Sequence, residues 1–546
     1  MRLFSAFLNL KLLVFTGSFI VLFSLSLIAQ TQQATSSDSL VSKYNLAIKI
    51  SPESNRIEVK GTMLLPPSLA VRDSVKFLLW SRIENLSVQI LEPKTVSPLL
   101  ELSNDKADGD RTWTVKPSKP FPANQPILLQ FSYVSDGKSY PQFTISPESS
   151  YAGGGGELWY PQMSFKAREI GILKFTVPAG EAVISNGVGV STAAQKAEGE
   201  FVFRVTKPVK FGFAAGNYKT FRHAGKIPIT LYLLKSRDTA QNIINLSAKA
   251  LNFLTDLNGK FPYPEFSLVE VDFRGRLGGT GEFGFILADK KELDLYNLSY
   301  WAHEIGHQWW GDLIRSKLGE FGQMMFSEGM TQFGSLLAVE TIEGEKAAEE
   351  FRRNSYRDFR KIHSAKGYFQ LISSGTDFPL TLYKPKDQNE TLLMHRLANS
   401  KGFILMDMLS RQIGRAKLAA ILKRFISRHA EQLTSWQELQ KTIEAEAGQD
   451  IHWFFEQWFE RTGAPDYQLT WKQEGKTIRG EITQPAPFYR STLEVEIKGA
   501  SRRLFKNVEV INGQTEFKWT IPFKVDSVTL DPHYKVLRWT PEFRGQ

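Results

Sequence analysis

The spacing of apolar residues changes twice along this chain, and that change restricts its fold more than any other feature. From Tyr44 onward apolar and polar residues alternate through Leu46, Ile48 and Ile50 and again at Ile57 and Val59, the period of strands with one buried face. Short runs of this kind continue to about Phe213, broken by turn clusters at Asn104 to Asp110 and Ala152 to Gly156, which reads as an all-β unit. Then Ile243, Leu246, Ala250, Phe253 and Leu257 recur at helical spacing, with Asp238 and Gln241 placed as a capping pair and Gly259 as a stop. Helices are expected to dominate from there to Thr462. Ser435 with Glu438 marks one start, and a last helix runs from near Asp450 through Trp453, Phe454, Trp458 and Phe459 until Gly463 and Pro465 end it. Alternation returns in Leu493, Val495 and Ile497 and in Phe517, Trp519 and Ile521, with Asn512-Gly513 as a turn between runs.

The expectation is therefore a multidomain α+β chain: a leader over 1–29, a β-rich domain over 30–217, a second domain over 218–462 and a small β-sandwich over 463–546. A chain of 546 residues exceeds one core of ordinary size, and 42% hydrophobic with 23% charged residues is the balance of a folded soluble protein. The leader has Arg2 and Lys11, an uncharged run from Leu12 to Ala29, and then the polar stretch Gln30 to Ser37. It reads as a signal peptide, which places the mature chain in the periplasm or outside the cell; an uncleaved N-terminal anchor is the other reading of the same run. The formal charge of +10 is modest for this length. Arg352, Arg353, Arg357, Arg360 and Lys361 are interleaved with Glu350 and Asp358, which suits a solvated helix face rather than a nucleic-acid site. The chain has no cysteine, which excludes disulfides, thiolate ligands, a cysteine nucleophile and a lipidated N-terminal Cys. Nothing in these patterns fixes an oligomeric state.

The segment that carries chemistry is His303-Glu304-Ile305-Gly306-His307. On a helix, residues four apart share a face, so both imidazoles can reach one ion at about 2 Å from each nitrogen. Glu304 projects beside that face, where a carboxylate can take a proton from water on the metal without being a ligand. A third ligand should be an oxygen donor from a second helix, leaving a fourth position open. Glu328, which opens a helical run through Phe333, Leu336 and Leu337, fits that role. Glu320, between Gly319 and Gly322 in an expected loop, is the alternative.

The chain resembles the aminopeptidase N family of gluzincin zinc metallopeptidases. Gly279-Thr280-Gly281-Glu282-Phe283 is similar to the family's Gly-x-Met-Glu-Asn segment, with Gly281 and Phe283 departing from it. Trp159-Tyr160-Pro161 and Phe213 to Tyr218 resemble parts of its N-terminal β domain, and Gln457-Trp458 with Gly463-Ala464-Pro465 the end of its catalytic domain. The resemblance implies a thermolysin-like catalytic domain between two β domains, one zinc ion per chain, peptides as substrates, and Glu282 as the carboxylate that docks the substrate's α-amine. Gly279 and Gly281 would let a substrate backbone approach closely. It also implies a tyrosine that stabilises the transition state two residues before Lys401-Gly402, a position held here by Asn399. Asn399 could donate through its amide, Tyr383 could substitute from the preceding loop, and a core or cap role for Asn399 stands beside both.

The leading expectation is a zinc aminopeptidase in which His303, His307 and Glu328 hold the metal and Glu304 is the general base. Two other readings stay open: a metal-bearing peptide-binding protein with weakened turnover, and an exported zinc endopeptidase. The preferred first residue and the physiological substrate are not written in the sequence.

Overall fold

The computed structural model describes residues 41–67, 73–80, 82–94, 100–105, 112–137, 143–153, 157–164, 167–273, 279–291, 293–295, 297–316, 319–354 and 364–544. The expected leader over 1–29, the residues Arg357, Arg360 and Lys361, and the ends of two expected turns at 106–110 and 154–156 lie outside them. Among the described residues no helix is long and apolar enough to cross a membrane. The chain divides into two compact units, Met1–Asn217 and Tyr218–Gln546.

The first unit is built on a seven-stranded sheet whose middle strand, Ser42–Ser51, pairs in parallel with Glu169–Thr176 and antiparallel with Arg56–Leu65. Tyr44, Leu46, Ile48 and Ile50 all face inward, and the residues between them face out, as alternation requires. A four-stranded and a three-stranded sheet complete it, with the short helix Ala193–Ala197 capped by Thr192. Trp159 packs edge-on against Phe213 at 5.1 Å and donates its indole N–H to the Phe211 carbonyl at 2.8 Å. The two aromatic motifs singled out in this region therefore meet in one cluster, which buries large rings while giving the indole a partner.

The second unit opens with a mixed five-stranded sheet: β1 (Lys219–His223), β2 (Ile229–Leu233), β3 (Phe266–Val271), β4 (Gly279–Glu282) and β5 (Phe285–Asp289), in spatial order β1-β2-β3-β5-β4. β3, β4 and β5 lie where helices were expected to dominate. β3 (Phe-Ser-Leu-Val-Glu-Val) is buried at all but Ser267 and β5 (Phe-Ile-Leu-Ala-Asp) throughout, so both faces are covered and neither shows the regular alternation that marks a half-exposed strand. Helix α1 (Ala240–Asn258) crosses between the parallel strands β2 and β3, burying Ile243, Ala250, Leu251 and Leu254, and ends at Gly259 with φ 103°. Its start differs from expectation: Thr239 precedes the helix and gives its hydroxyl to Asp294 at 2.5 Å, so Asp238 is not the cap.

The helices that follow include α2 (Leu298–Gly306), α3 (Met330–Glu343), α4 (Gln388–Leu397), α5 (Phe403–Ile413), α6 (Trp436–Glu446) and α7 (His452–Trp458). Ser435 caps α6 by accepting from Glu438 N at 3.2 Å, while α7 stops at Trp458, earlier than expected. Two π-helical turns interrupt the series, Met325–Gly329 just before α3 and Ala398–Gly402 between α4 and α5. They pack closely on each other, because Gly329 and Gly402 face one another and a Cβ on either would collide with Met325. Six further strands form two three-stranded sheets around Ile478, Ile482, Leu493, Val495 and Ile497, the expected sandwich. Asn512-Gly513 carries the chain from one sheet to the other rather than closing a hairpin within one. Leu537 and Phe543 return to the helical core, where Phe543 stacks on Phe369 at 5.0 Å, so helices and sandwich form one unit.

Candidate metal centre

Helix α2 is internal on every side; each of its nine residues is buried, His303 and Glu304 included. Asn297 caps it by accepting from Tyr300 N at 3.1 Å. His307 stands at the C-cap, still in right-handed helical conformation, so it keeps the one-turn offset from His303 and the two rings lie 4.9 Å apart at 89°. Each ring is oriented from behind. His307 Nδ1 lies 3.2 Å from the Trp310 carbonyl, and His303 Nδ1 lies 3.4 Å from the Thr331 hydroxyl, which itself donates to Glu328 O at 2.9 Å. A carbonyl only accepts, so the neutral His307 ring carries its proton on Nδ1 and turns a bare Nε2 inward; the same arrangement serves His303.

Both Nε2 atoms face the Glu328 carboxylate, at 3.5 Å for His303 and 3.7 Å for His307. Lone pairs opposing a carboxylate repel unless a cation lies between them. Two ligands bound at 2.0–2.1 Å in a tetrahedron sit about 3.4 Å apart, close to these separations. The three residues are the group among those described whose ligand atoms all lie within 4.8 Å of one another, and their chemistry fits zinc. Glu328 sits on the first π-helical turn, two residues before α3 begins at Met330, and not within α3 itself. Such turns displace a side chain from the regular helical register and recur at functional sites.

The electrostatics match a site for a cation. Burial alone would raise the Glu328 carboxyl, but the neighbouring His395, His307 and His303 side chains outweigh it and hold the carboxyl well below the usual carboxylate range. Burial lowers His303, favouring the neutral ligand form. Burial works the same way on His307 but is outweighed by Glu328, Glu304 and Asp312, which raise it.

The strand bearing Glu282 is laid against this helix. A Cβ at Gly281 would come within 3.3 Å of both the Glu304 carbonyl and His307 Cβ, so a side chain there would push the strand away. Gln308, fully buried, donates to the Glu282 carbonyl at 2.7 Å and accepts from Gly284 N at 2.8 Å. Through it the residue that follows the second histidine sets the β4–β5 turn. β4 is the edge strand of its sheet, yet Glu282 itself is buried.

Asn399 occupies the second π-helical turn and is fully buried. Its amide donates to Glu328 Oε2 at 2.9 Å and to the His395 carbonyl at 3.1 Å, so both N–H groups are engaged. With both N–H groups so engaged, neither is free to serve as an oxyanion donor; the side chain holds the Glu328 carboxylate instead. The Tyr383 hydroxyl is likewise engaged, on Glu390 at 2.8 Å. Glu320 lies in the loop before the first π-helical turn, outside the 4.8 Å group. Sequence reasoning missed His395, whose Nε2 lies 3.3 Å from Glu328 Oε2. The signal available was its place four residues before Asn399, one helical turn along α4.

Residues 244–458 match the model of the peptidase family M1 domain. Aminopeptidase N of Lactococcus lactis subsp. lactis is 22% identical over 317 residues, 54% of this chain and 36% of that protein. Tricorn protease-interacting factor F2 of Thermoplasma volcanium is 24% identical over 179 residues, 33% of this chain and 21% of that protein. Among solved structures, Legionella pneumophila aminopeptidase A in complex with aspartic acid superposes with a TM-score of 0.65 at 15% identity, covering 92% of this chain and 59% of that one. The chain thus spans 36% of the length of the first relative and 59% of the solved structure.

Proposed function

We propose, since residues 244–458 match the peptidase family M1 domain and the chain is similar to an aminopeptidase N, that it is a metallo-aminopeptidase that removes the first residue of peptides, with one zinc ion held by His303, His307 and Glu328. The observation that carries this reading is the convergence of two oriented imidazole nitrogens on one carboxylate, at 3.5 and 3.7 Å. When bound, zinc supplies a Lewis acid that polarises a carbonyl and lowers the pKa of water.

The chain's own residues do the rest. Glu304, next to His303 on α2, accepts a proton as the water oxygen bonds to the carbonyl carbon, and passes it to the departing nitrogen as the carbon–nitrogen bond breaks. Glu282 pairs with the substrate's α-ammonium and so sets the first peptide bond beside Glu304. The edge position of β4 offers backbone groups to an extended peptide. The uncharged run at the N-terminus suits export of the enzyme.

The test uses purified full-length protein. Metal analysis should give one zinc per chain, and aminoacyl reporters should release their first residue in a chelator-sensitive way. Glu304→Gln should keep the metal and lose turnover by several orders of magnitude; full activity in that variant would sink the mechanism. N-acetylated peptides should resist cleavage, and their hydrolysis would mark an endopeptidase instead. The engagement of both Asn399 N–H groups favours one second reading, a metal-bearing peptide-binding protein, which would hold peptides without cleaving them.

A further inference from the structure

Hydrolysis places negative charge on the carbonyl oxygen, and a site that turns over needs a hydrogen-bond donor aimed at it. Two side chains that the sequence offered for this are engaged elsewhere: Asn399 on Glu328 and the His395 carbonyl, Tyr383 on Glu390. The geometry points to His395: we propose that its Nε2–H is the donor to the developing oxyanion, an inference that rests on the aminopeptidase reading.

Three observations converge on it. First, His395 Nε2 lies 3.3 Å from Glu328 Oε2, and a carboxylate only accepts, so that nitrogen carries a proton and directs it toward the metal site. Second, His395 is not a fourth ligand. It touches Glu328 but falls outside the group whose ligand atoms all lie within 4.8 Å of one another, whereas ligands of one tetrahedral ion sit about 3.4 Å apart. Third, its side chain is 39% exposed, against 8% for His303 and 17% for His307, so it is the histidine of the three most accessible to a molecule arriving from solvent.

The fold explains how the ring is held there. His395 lies in the last turn of α4, and its carbonyl accepts from Asn399 at the start of the second π-helical turn. The same asparagine fixes Glu328, so donor and ligand are registered to each other through one amide. When a metal neutralises Glu328, the Nε2–H can turn to a carbonyl oxygen arriving beside it. His395 keeps its proton throughout; only the hydrogen bond strengthens as charge develops on the substrate.

The experiment compares wild type, His395→Phe and His395→Gln as full-length, zinc-loaded proteins. Zinc content, kcat and KM on an aminoacyl reporter, and calorimetric binding of a phosphinic pseudopeptide, which mimics the tetrahedral state, are measured beside binding of a product peptide. His395→Phe should retain one zinc, keep KM within a few-fold and lose about 10²- to 10³-fold in kcat. It should bind the phosphinic pseudopeptide more weakly by a comparable factor while product binding barely changes. His395→Gln, which keeps an N–H donor, should recover part of both. Loss of zinc in His395→Phe with kcat restored by excess zinc would overturn the proposal in favour of a ligand role, as would unchanged kcat and unchanged pseudopeptide affinity. If wild type itself shows no chelator-sensitive hydrolysis, the aminopeptidase reading fails; the pseudopeptide comparison still decides the role of His395.

Discussion

Asn399 holds Glu328 from a fully buried position, its amide 2.9 Å from Oε2, while its own Oδ1 is buried without a protein partner. An orphaned acceptor costs stability, so this side chain is not the best choice for the core, and its benefit lies in orienting the carboxylate. Asn399→Ala should therefore lower zinc affinity by about 10- to 100-fold, read by competition with a chromogenic chelator. The metal-free protein should change by less than about 1 kcal/mol, because the orphaned acceptor leaves together with the donor. Unaltered zinc affinity would show that Glu328 needs no such support.

Gln308 joins the metal helix to the strand that carries Glu282. Gln308→Leu would leave the Glu282 carbonyl and Gly284 N–H without their partner in a buried site. The expected cost is about 2 kcal/mol or more in urea denaturation, since each orphaned group costs about 1–3 kcal/mol. For the metal-loaded variant, KM for peptides with a free amine should rise several-fold with a smaller change in kcat, because the displaced group, Glu282, is the one proposed to dock the amine and is given no part in proton transfer. A fall in kcat alone would place the role of Gln308 elsewhere.

The proximity of His303 and His307 in the candidate metal cluster was legible from residue spacing alone, because a helix fixes the relation between residues four apart. Gly259, Ser435 and the alternating strand around Leu46 were legible for the same reason, each being a local preference expressed in the fold. What escaped depends on tertiary context. β3 and β5 are covered on both faces and show no regular alternation, so their residue patterns do not distinguish strand from helix. The cap at Thr239 turned on Asp294, far along the chain. His395 and Asn399 acquire their roles only because two π-helical turns pack glycine against glycine, and no periodicity in either segment announces that contact.

Gly279 is required by a single contact. A Cβ there would run into the Tyr300 hydroxyl, and Tyr300 is buried on α2, where it cannot swing aside. Gly279→Ala should therefore destabilise the protein by about 1–3 kcal/mol, the usual cost of overpacking. It should also raise KM, as β4 is pushed from the helix it lies on. Adding Tyr300→Phe removes the clashing oxygen and should restore part of the loss, giving a coupling energy in the double-mutant cycle well beyond error. Additive losses in that cycle would show that the strand is set by other contacts.

In the first unit, Lys210 and Glu169 form an ion pair at 3.2 Å with side chains 2% and 0% exposed. Tyr160 donates to the same carboxylate at 3.0 Å, and Lys210 also donates to Gln162 and to the Ser164 carbonyl. Burial pushes the Glu169 carboxyl up, and Lys210 is the first of the groups that pull it back. Lys210→Met removes that opposition and should cost about 3–5 kcal/mol at neutral pH, because a buried charge loses its partner. The pH dependence has a definite sign. A carboxyl whose folded pKa lies above its unfolded value of about 4.3 binds its proton more tightly when folded, so stability falls as pH rises from that value through the folded pKa and then levels off. The deficit of Lys210→Met should accordingly shrink as pH is lowered from 7.5 toward about 5, where protonation relieves the stranded charge. Adding Glu169→Gln should recover part of the loss and flatten the difference across that range. Urea denaturation at the two pH values decides it, and a deficit that grows on acidification would mean that Glu169 stays ionised without its lysine.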